Sequence, residues 1–224
     1  MIKNISNLGD AALYCDFGQE INKEINTKVI RYFKSIKKEK IQGINNLTPS
    51  YNKLIVSFDL KKTSFKVIKK EIENLDVVNS DFLSNQRIEI PTCCDENFSL
   101  DIERLEQKLK INREKIYENF FDKDFFCYMT GFIAGMPFLG DLDKNMRAKR
   151  LETPRVKVPK GSVGLTEQFA NIYTFESPGG WNIIGNTPIN IFDSNKEKSP
   201  NLINPGDLIV FKKITKDQYL NYNE

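Results

Sequence analysis

One stretch of the chain, residues 131–193, combines many apolar residues with a glycine or proline every few positions. It has no long helical period, yet it is too apolar to remain disordered. Short β-type runs lie between the glycines and prolines, and short strands closed by tight turns are typical of a barrel or a sandwich. We predict strands at 156–158, 163–165, 172–175, 181–184 and 189–192.

The first part of the chain alternates strand and helix patterns. Apolar residues at spacings of three and four predict helices over residues 20–40 and 59–75. Strands are predicted around them at 11–17, 43–47, 54–58 and 86–92. The order βαββαβ predicts a ferredoxin-like α+β sandwich, which makes residues 1–90 an N-terminal domain.

The remainder, residues 91–224, is predicted as a mainly-β barrel domain with leading helices. Ser99 and Asn112 are suited to cap helices at 100–109 and 113–120. Strands follow at 125–129 and, after a turn, at 208–211, and we expect residues 215–224 to be frayed. With 40% hydrophobic and 28% charged residues, the 224-residue chain can form a real core.

Composition excludes several classes of function. The chain has no histidine, which rules out a Ser-His-Asp triad, a Cys-His pair and histidine metal sites. A net charge of +3 does not indicate nucleic-acid binding. Neither GxxxxGK[ST] nor GxGxxG occurs, so nucleotide binding by this chain alone is unsupported.

The compartment follows from what the sequence lacks. No apolar run approaches the roughly 20 residues of a membrane helix, and the N-terminus lacks the apolar core of a signal peptide. The four cysteines show no CxxC spacing. We therefore expect a cytoplasmic protein with reduced thiols, packed as small hydrophobic side chains.

Three motifs are candidates for a binding site. If residues 156–158 form the predicted strand, Arg155 and Lys157 point to the same face, where they could hold a carboxylate or phosphate or could simply face solvent. Gly179 and Gly180 could present backbone N–H groups to an anion beside Trp181, or could form a hairpin turn with a core tryptophan. The apolar loop 131–140 could line a pocket or could be a buried crossover.

Several motifs in order resemble those of the B-type 5-oxoprolinase family, whose members are also called allophanate hydrolase subunit 1. They are GF-x-x-G-x-P-F-L-G-x-L-D, TPR-x-x-VP-x-GSV, IY-x-x-ESPGGW-x-x-IG-x-TP, IFD and PGD-x-I-x-F. GDAALYCDFG, NTKVI and P-x-Y-x-x-LIVSFD fit the same family. The resemblance covers nearly the whole chain and implies a ferredoxin-like N-terminal domain followed by a cyclophilin-like β-barrel.

The resemblance also implies an activity. The family's complex opens 5-oxoproline to glutamate with ATP hydrolysis, and it contains a paralogous C-type subunit and a third subunit. ATP with Mg²⁺ is thus expected at the level of the complex, with a small lactam or amide as substrate and with neither nucleic acid nor membrane as partner. The residues expected to bind substrate are Arg155, Ser162, Gly179, Gly180 and Trp181, with Phe132 and Phe138 as apolar walls.

The chain departs from the family pattern at polar positions. Phe120 stands where relatives usually carry a histidine, and Phe169, Ala170 and Asn171 stand where relatives read QTG. Replacing a hydrogen-bonding group by an apolar one removes specific recognition of a polar substrate. Two alternatives therefore stay open: a non-catalytic regulator like the family's sporulation kinase inhibitor, and the carboxyltransferase half of a urea-carboxylase-like system.

Overall fold

The computed structural model describes residues 1–77 and 86–222, which form two compact units dividing between residues 84 and 85. The first unit has one four-stranded antiparallel sheet in the order β1-β2-β4-β3. Two helices, one after β2 and one after β4, contribute to the same core. The elements are β1 (Asn4–Asn7), β2 (Ala12–Asp16), α1 (Lys23–Glu39), β3 (Ile44–Pro49), β4 (Lys53–Phe58) and α2 (Phe65–Glu73).

Alternation along the central strands builds the core of the first unit. Every second residue of β2 and of β4 is buried, and these residues meet the apolar stripes of both helices. Asn22 begins α1, because its side chain accepts a hydrogen bond from the Ile25 backbone N–H at 2.9 Å. The buried set includes Leu13, Cys15, Val29, Ile36, Leu54, Val56, Phe58, Ile68 and Ile72.

The ferredoxin-like order predicted for residues 1–90 is wrong in its last strand. Residues 86–92 do form a strand, but they pair in the second unit. The sheet position beside β2 is taken instead by β1, a short strand that we did not predict because Ile5 is its only apolar residue. The alternation within a strand indicates which of its residues face inward, but it does not indicate which strand it pairs with.

The second unit is a closed barrel of seven strands in the order β10-β7-β6-β13-β5-β12-β9, so the predicted barrel is confirmed. The pair formed by β8 and β11 is a separate two-stranded sheet. The strands are β5 (Arg87–Cys93), β6 (Asp124–Thr130), β7 (Pro137–Gly140), β8 (Arg155–Val158), β9 (Ser162–Thr166), β10 (Phe169–Ile172), β11 (Ser177–Gly179), β12 (Asn182–Asn186) and β13 (Leu208–Ile214).

Helices α3 (Ile102–Leu109), α4 (Arg113–Phe121) and α5 (Lys216–Leu220) complete the second unit, with a 3-10 turn at Lys144–Met146. The barrel interior and the apolar faces of α3 and α4 share one core. Asn112 caps α4 as predicted, whereas Asp101 rather than Ser99 precedes α3. The expectation that residues 215–224 are frayed is wrong for residues 215–220, because Thr215 and Gln218 form a capping box that begins α5, and residues 223–224 lie outside the described residues.

Two of the short strands lie elsewhere than predicted. The strand predicted at 172–175 is β10, which ends at Ile172. The run at 189–192 forms no named strand and makes only an isolated bridge between Phe192 and Asn201. All four cysteines are unbridged. No helix among the described residues has the length and apolarity needed to cross a bilayer.

Candidate functional site

A second, smaller apolar layer lies on the outer face of four neighbouring barrel strands. Cross-strand pairing aligns Phe138 with Asn171, Asn171 with Gly164, and Gly164 with Ile183. Inward-facing neighbours such as Ala170 and Ile172 belong to the barrel core, so this row faces the opposite side. We call the following residues the outer layer: Ile133, Met136, Phe138, Val158, Tyr173, Trp181 and Ile183.

The outer layer brings together residues from distant parts of the sequence. Val158 comes from the β8–β11 ribbon, and Met136 comes from the loop between β6 and β7. The rings of Phe138 and Trp181 meet edge to face, with centroids 5.7 Å apart. Both rings are half-buried, so they form the accessible rim of an otherwise buried cluster.

Two polar side chains are buried inside this apolar layer. Asn171 is fully buried, and Tyr173 is 1% exposed. Burial raises the pKa of Tyr173, while hydrogen bonds from the Asn171 amide and the Trp181 backbone N–H partly oppose that shift. The Asn171 Oδ1 atom has no hydrogen-bond partner among the described residues. A buried acceptor left in this state is costly unless a ligand or water completes it.

Glycines allow this close packing. A Cβ on Gly164 would lie 2.8 Å from Asn171 Oδ1 and 3.1 Å from Trp181 Cβ. On Gly179 it would lie 2.1 Å from the Tyr173 hydroxyl oxygen, which no side chain could tolerate. Gly179 and Gly180 both lack the left-handed backbone for which glycine is often selected. Their observed role is to let the Tyr173 hydroxyl and an arginine approach the backbone.

The guanidinium of Arg155 is already paired with a carboxylate in this structure. Its Nη1 and Nη2 atoms donate to the two carboxylate oxygens of Asp101 at 2.9 and 2.7 Å. Asp101 is 4% exposed and also accepts a hydrogen bond from the Ile183 backbone N–H at 2.7 Å. This buried bidentate pair ties the start of α3 to the β8–β11 ribbon above the outer layer.

The arginine that could bind an anion is Arg150, five residues before Arg155. Arg150 is exposed, and its Nη2 lies 3.0 Å from the position that a Cβ on Gly180 would occupy. Together with Arg155, its charge favours the ionised form of Tyr173, which is a minor contribution to the pKa of that residue. Arg150 makes no ion pair within the described parts of the chain. We did not single it out from the sequence, although it lies just before the TPR motif.

The other predicted site residues take varied positions. Ser162 is buried on β9, two residues before Gly164, and its backbone carbonyl accepts a hydrogen bond from the Tyr173 N–H at 2.9 Å. Phe132 is 80% exposed at the tip of the β6–β7 loop, so it does not wall the outer layer. Lys157 pairs with Glu176 at 2.9 Å on the exposed face of the ribbon.

The departures from the family pattern have structural consequences. Phe120 is fully buried and packs against Phe125 and Phe211, with ring centroids 5.0 and 4.8 Å apart. It therefore fills the barrel core where a histidine was expected. Phe169 packs edge to face on Tyr128, while Ala170 faces the barrel interior. Of these positions, only Asn171 contributes a polar group to the outer layer.

The fold and the site define a closed seven-stranded β-barrel protein with an apolar surface outside the barrel and an arginine at the rim of that surface. The sequence profile described as carboxyltransferase domain, subdomain C and D, matches residues 3–203, and the chain belongs to this family. It is 32% identical to the B-type subunit of 5-oxoprolinase from Bacillus subtilis, over 98% of this chain and 96% of that protein. The corresponding Haemophilus influenzae 5-oxoprolinase subunit is 30% identical over 93% of this chain and 96% of its own length.

Solved structures share the fold. The crystal structure of TTHA0988 matches with a TM-score of 0.82 and 25% identity over 91% of this chain, which spans only 40% of that protein. A conserved uncharacterized protein of Pyrococcus horikoshii, PH0987, is 33% identical over 96% of this chain and its full length, with a TM-score of 0.58. Urea amidolyase of Kluyveromyces lactis matches with a TM-score of 0.79 at 18% identity, which shows the fold alone.

Proposed function

We propose that this protein is the B-type subunit of an ATP-dependent 5-oxoprolinase, which opens 5-oxoproline to glutamate together with a C-type subunit and a third subunit. The observation that carries the proposal is the near-complete match, at 32% identity, to the B-type 5-oxoprolinase subunit of B. subtilis. The outer layer supports it, because an apolar surface with an exposed arginine and a buried amide suits a small, polar, ring-shaped substrate.

Within such a complex, this chain's residues bind and orient the substrate. Arg150 supplies a cation at the rim for the substrate carboxylate. Phe138 and Trp181 supply flat apolar surfaces against which the ring packs. The buried pair of Asp101 and Arg155 holds the ribbon in place, which makes Arg155 a positioning residue in this proposal.

We place nucleotide binding with the partner subunits. In the proposed reaction, ATP phosphorylates the amide oxygen and ADP leaves; two waters are then consumed, one in opening the ring and one in releasing phosphate, which leaves glutamate. Mg²⁺ that accompanies ATP prefers carboxylate and phosphate oxygens. Among the described residues of this chain, no three His, Cys, Asp or Glu side chains lie close enough to hold a metal ion.

The test is reconstitution. The chain is co-expressed with the genes for the C-type and third subunits, and the purified complex is assayed for ADP release that depends on 5-oxoproline. We expect turnover in the full complex and none when any one of the three proteins is omitted. A stable complex that shows no substrate-dependent ATP hydrolysis would refute the proposal.

A regulatory role is the second candidate. Phe120 and Phe169 support it, because both place apolar rings where relatives usually carry polar groups. A protein of this kind would bind a histidine kinase and inhibit its autophosphorylation. Kinase inhibition by the isolated chain, together with inactivity of the reconstituted complex, would favour this role over the enzymatic one.

A further inference from the structure

We infer that Asn171 and Arg150 form a two-point recognition site for a cyclic amide that carries a carboxylate. In this site, Asn171 Oδ1 accepts a hydrogen bond from the ring N–H, and the Arg150 guanidinium binds the carboxylate. The inference rests on the proposed function, because 5-oxoproline has both groups on neighbouring ring atoms. It goes further by naming the residue that selects for the amide.

The unpartnered acceptor is the first observation. Asn171 is fully buried, its amide hydrogen-bonds Tyr173, and its Nδ2 lies 3.9 Å from the weakly accepting sulfur of Met136. Its Oδ1 is left without a partner among the described residues. An amide N–H is the matching donor, whereas a carboxylate or ester oxygen would repel this acceptor.

The surroundings define the size and chemistry of the ligand. Gly164 lies directly against Asn171 Oδ1: a Cβ there would be 2.8 Å from Oδ1, 3.1 Å from Trp181 Cβ and 3.2 Å from Ile183 Cδ1, so close packing covers the acceptor in the ligand-free chain. Phe138, which is paired with Asn171 across the sheet, closes the other side. A small ring that parts the half-buried rings of Phe138 and Trp181 would reach Oδ1 while staying in an apolar shell.

A chain of contacts connects the two recognition points. Asn171 hydrogen-bonds Tyr173, the Tyr173 hydroxyl lies against Gly179, and the neighbouring Gly180 lies against the Arg150 guanidinium. Arg150 is exposed and unpaired within the described parts of the chain, so it can take a carboxylate without breaking an existing ion pair. Arg155 could bind a carboxylate only by giving up its ion pair with Asp101, and the buried negative charge of Asp101 would then have no cation beside it.

The experiment measures binding in the absence of ATP. Trp181 is the only tryptophan, so its fluorescence reports ligand binding to the full chain, and calorimetry reports binding to the complex. Three probes are compared: 5-oxoproline, the corresponding lactone acid that lacks the ring N–H, and 2-pyrrolidinone, which lacks the carboxylate. We expect the lactone to bind about tenfold more weakly than 5-oxoproline, because it leaves the buried acceptor unpaired.

Variants assign each effect to its residue. Arg150→Gln should weaken 5-oxoproline binding about tenfold or more and leave 2-pyrrolidinone unchanged. Lys149→Gln, the charge-matched control at the adjacent position, should change neither. Asn171→Leu should abolish the preference for lactam over lactone. If that variant fails to fold, the lactam and lactone comparison on the unmodified chain still decides the point.

The two proposals fail in different ways. Equal binding of lactam and lactone, or equal weakening of all probes by Arg150→Gln, overturns the recognition site even if the complex turns over substrate. The expected binding pattern without ATP-dependent turnover upholds the site and rejects the 5-oxoprolinase activity. Absence of 5-oxoproline binding to both the chain and the complex overturns both.

Discussion

Gly179 is the position where a single added carbon has the clearest consequence. Its Cβ would lie 2.1 Å from the Tyr173 hydroxyl oxygen, so Gly179→Ala should lower the free energy of unfolding by about 2 kcal/mol. Adding Tyr173→Phe should recover part of that loss, because it removes the clashing oxygen. The control is Gly131→Ala, which meets only the flexible end of Met129 at 3.1 Å. Urea unfolding followed by Trp181 fluorescence measures all three; equal effects of the two alanine substitutions would contradict the expectation.

Asp101 is the second position where a single substitution should change stability, because its carboxylate forms the buried ion pair with Arg155. Asp101→Asn removes the buried charge that faces Arg155 and should cost about 2 to 4 kcal/mol in the free energy of unfolding. Glu176→Gln is the matched control, because its pair with Lys157 is exposed on both sides and should contribute less than about 0.5 kcal/mol. The same urea titration compares them. If both substitutions cost the same, the Asp101–Arg155 pair does not hold the ribbon.

At the scale of elements, α5 shows how a short terminal helix is held. The Tyr219 hydroxyl donates to Asn186 Oδ1 at 2.8 Å, and its ring packs on Phe98 with centroids 4.5 Å apart. Tyr219→Phe should therefore cost about 1 kcal/mol, the net contribution of one such hydrogen bond. Tyr222→Phe, at a 39% exposed position just past the helix, should be neutral. Amide hydrogen exchange over residues 216–220 provides the local readout, and unchanged protection would show that the bond does not anchor α5.

The pairing of β2 with β4 should be sensitive to acid. The hydrogen bond from Lys53 lowers the pKa of Asp16 below its ordinary value, and the two charged atoms lie 2.5 Å apart. A carboxyl whose folded pKa is depressed stabilises the fold above its unfolded pKa, and that stability is lost as the pH falls through the folded pKa.

Asp16→Asn should therefore cost about 1 kcal/mol near neutral pH, a modest value for a partly exposed pair. The difference from the unmodified protein should shrink as the pH falls below the ordinary pKa of an aspartate, and it should vanish below the folded pKa of Asp16. Asp10→Asn serves as the control, because this exposed residue of the same hairpin has no ion pair within the described residues. Thermal unfolding between about pH 2.5 and 7 is the measurement. A difference that is as large at the lowest pH as it is near neutral pH would exclude the charge as its cause.

The elements that could be predicted from sequence are those specified by local pattern. The stripe of α1 and the breakers around β9 are local features, and both elements were found. The partners of β5 were not predictable, because its pairing with β13 joins residues more than a hundred positions apart. β10 was misplaced because Ala170 and Asn171 look like loop residues, although one faces the core and the other the outer layer.

The candidate site was predicted in outline only. Phe138 and Trp181, which we predicted as residues of one site, do meet in the outer layer, and their binding of substrate stays a prediction. Arg155 was chosen and Arg150 was missed, since only the structure shows that Asp101 pairs with Arg155 and that Arg150 is exposed. Asn171 was counted as a lost polar position, yet it is the buried polar group whose acceptor lacks a partner among the described residues.

At the scale of the whole molecule, β5 decides where the second unit begins. It lies between β12 and β13 in the closed barrel, and its parallel pairing with β13 extends over seven register positions. A fragment that starts at residue 86 therefore contains every barrel strand, whereas one that starts at residue 94 lacks β5. Opening the barrel would expose two strand edges and part of its core.

We expect the fragment 86–224 to unfold cooperatively and the fragment 94–224 to be unfolded or aggregated. Cys127 provides a direct readout, because it is fully buried in the barrel core, and this burial raises the pKa of its thiol. Alkylation at about pH 8, followed by mass spectrometry, should leave Cys127 unmodified in the longer fragment and label it rapidly in the shorter one. Denaturant should make the two fragments react alike. If Cys127 is equally protected in both fragments under native conditions, β5 is dispensable and the second unit begins after it.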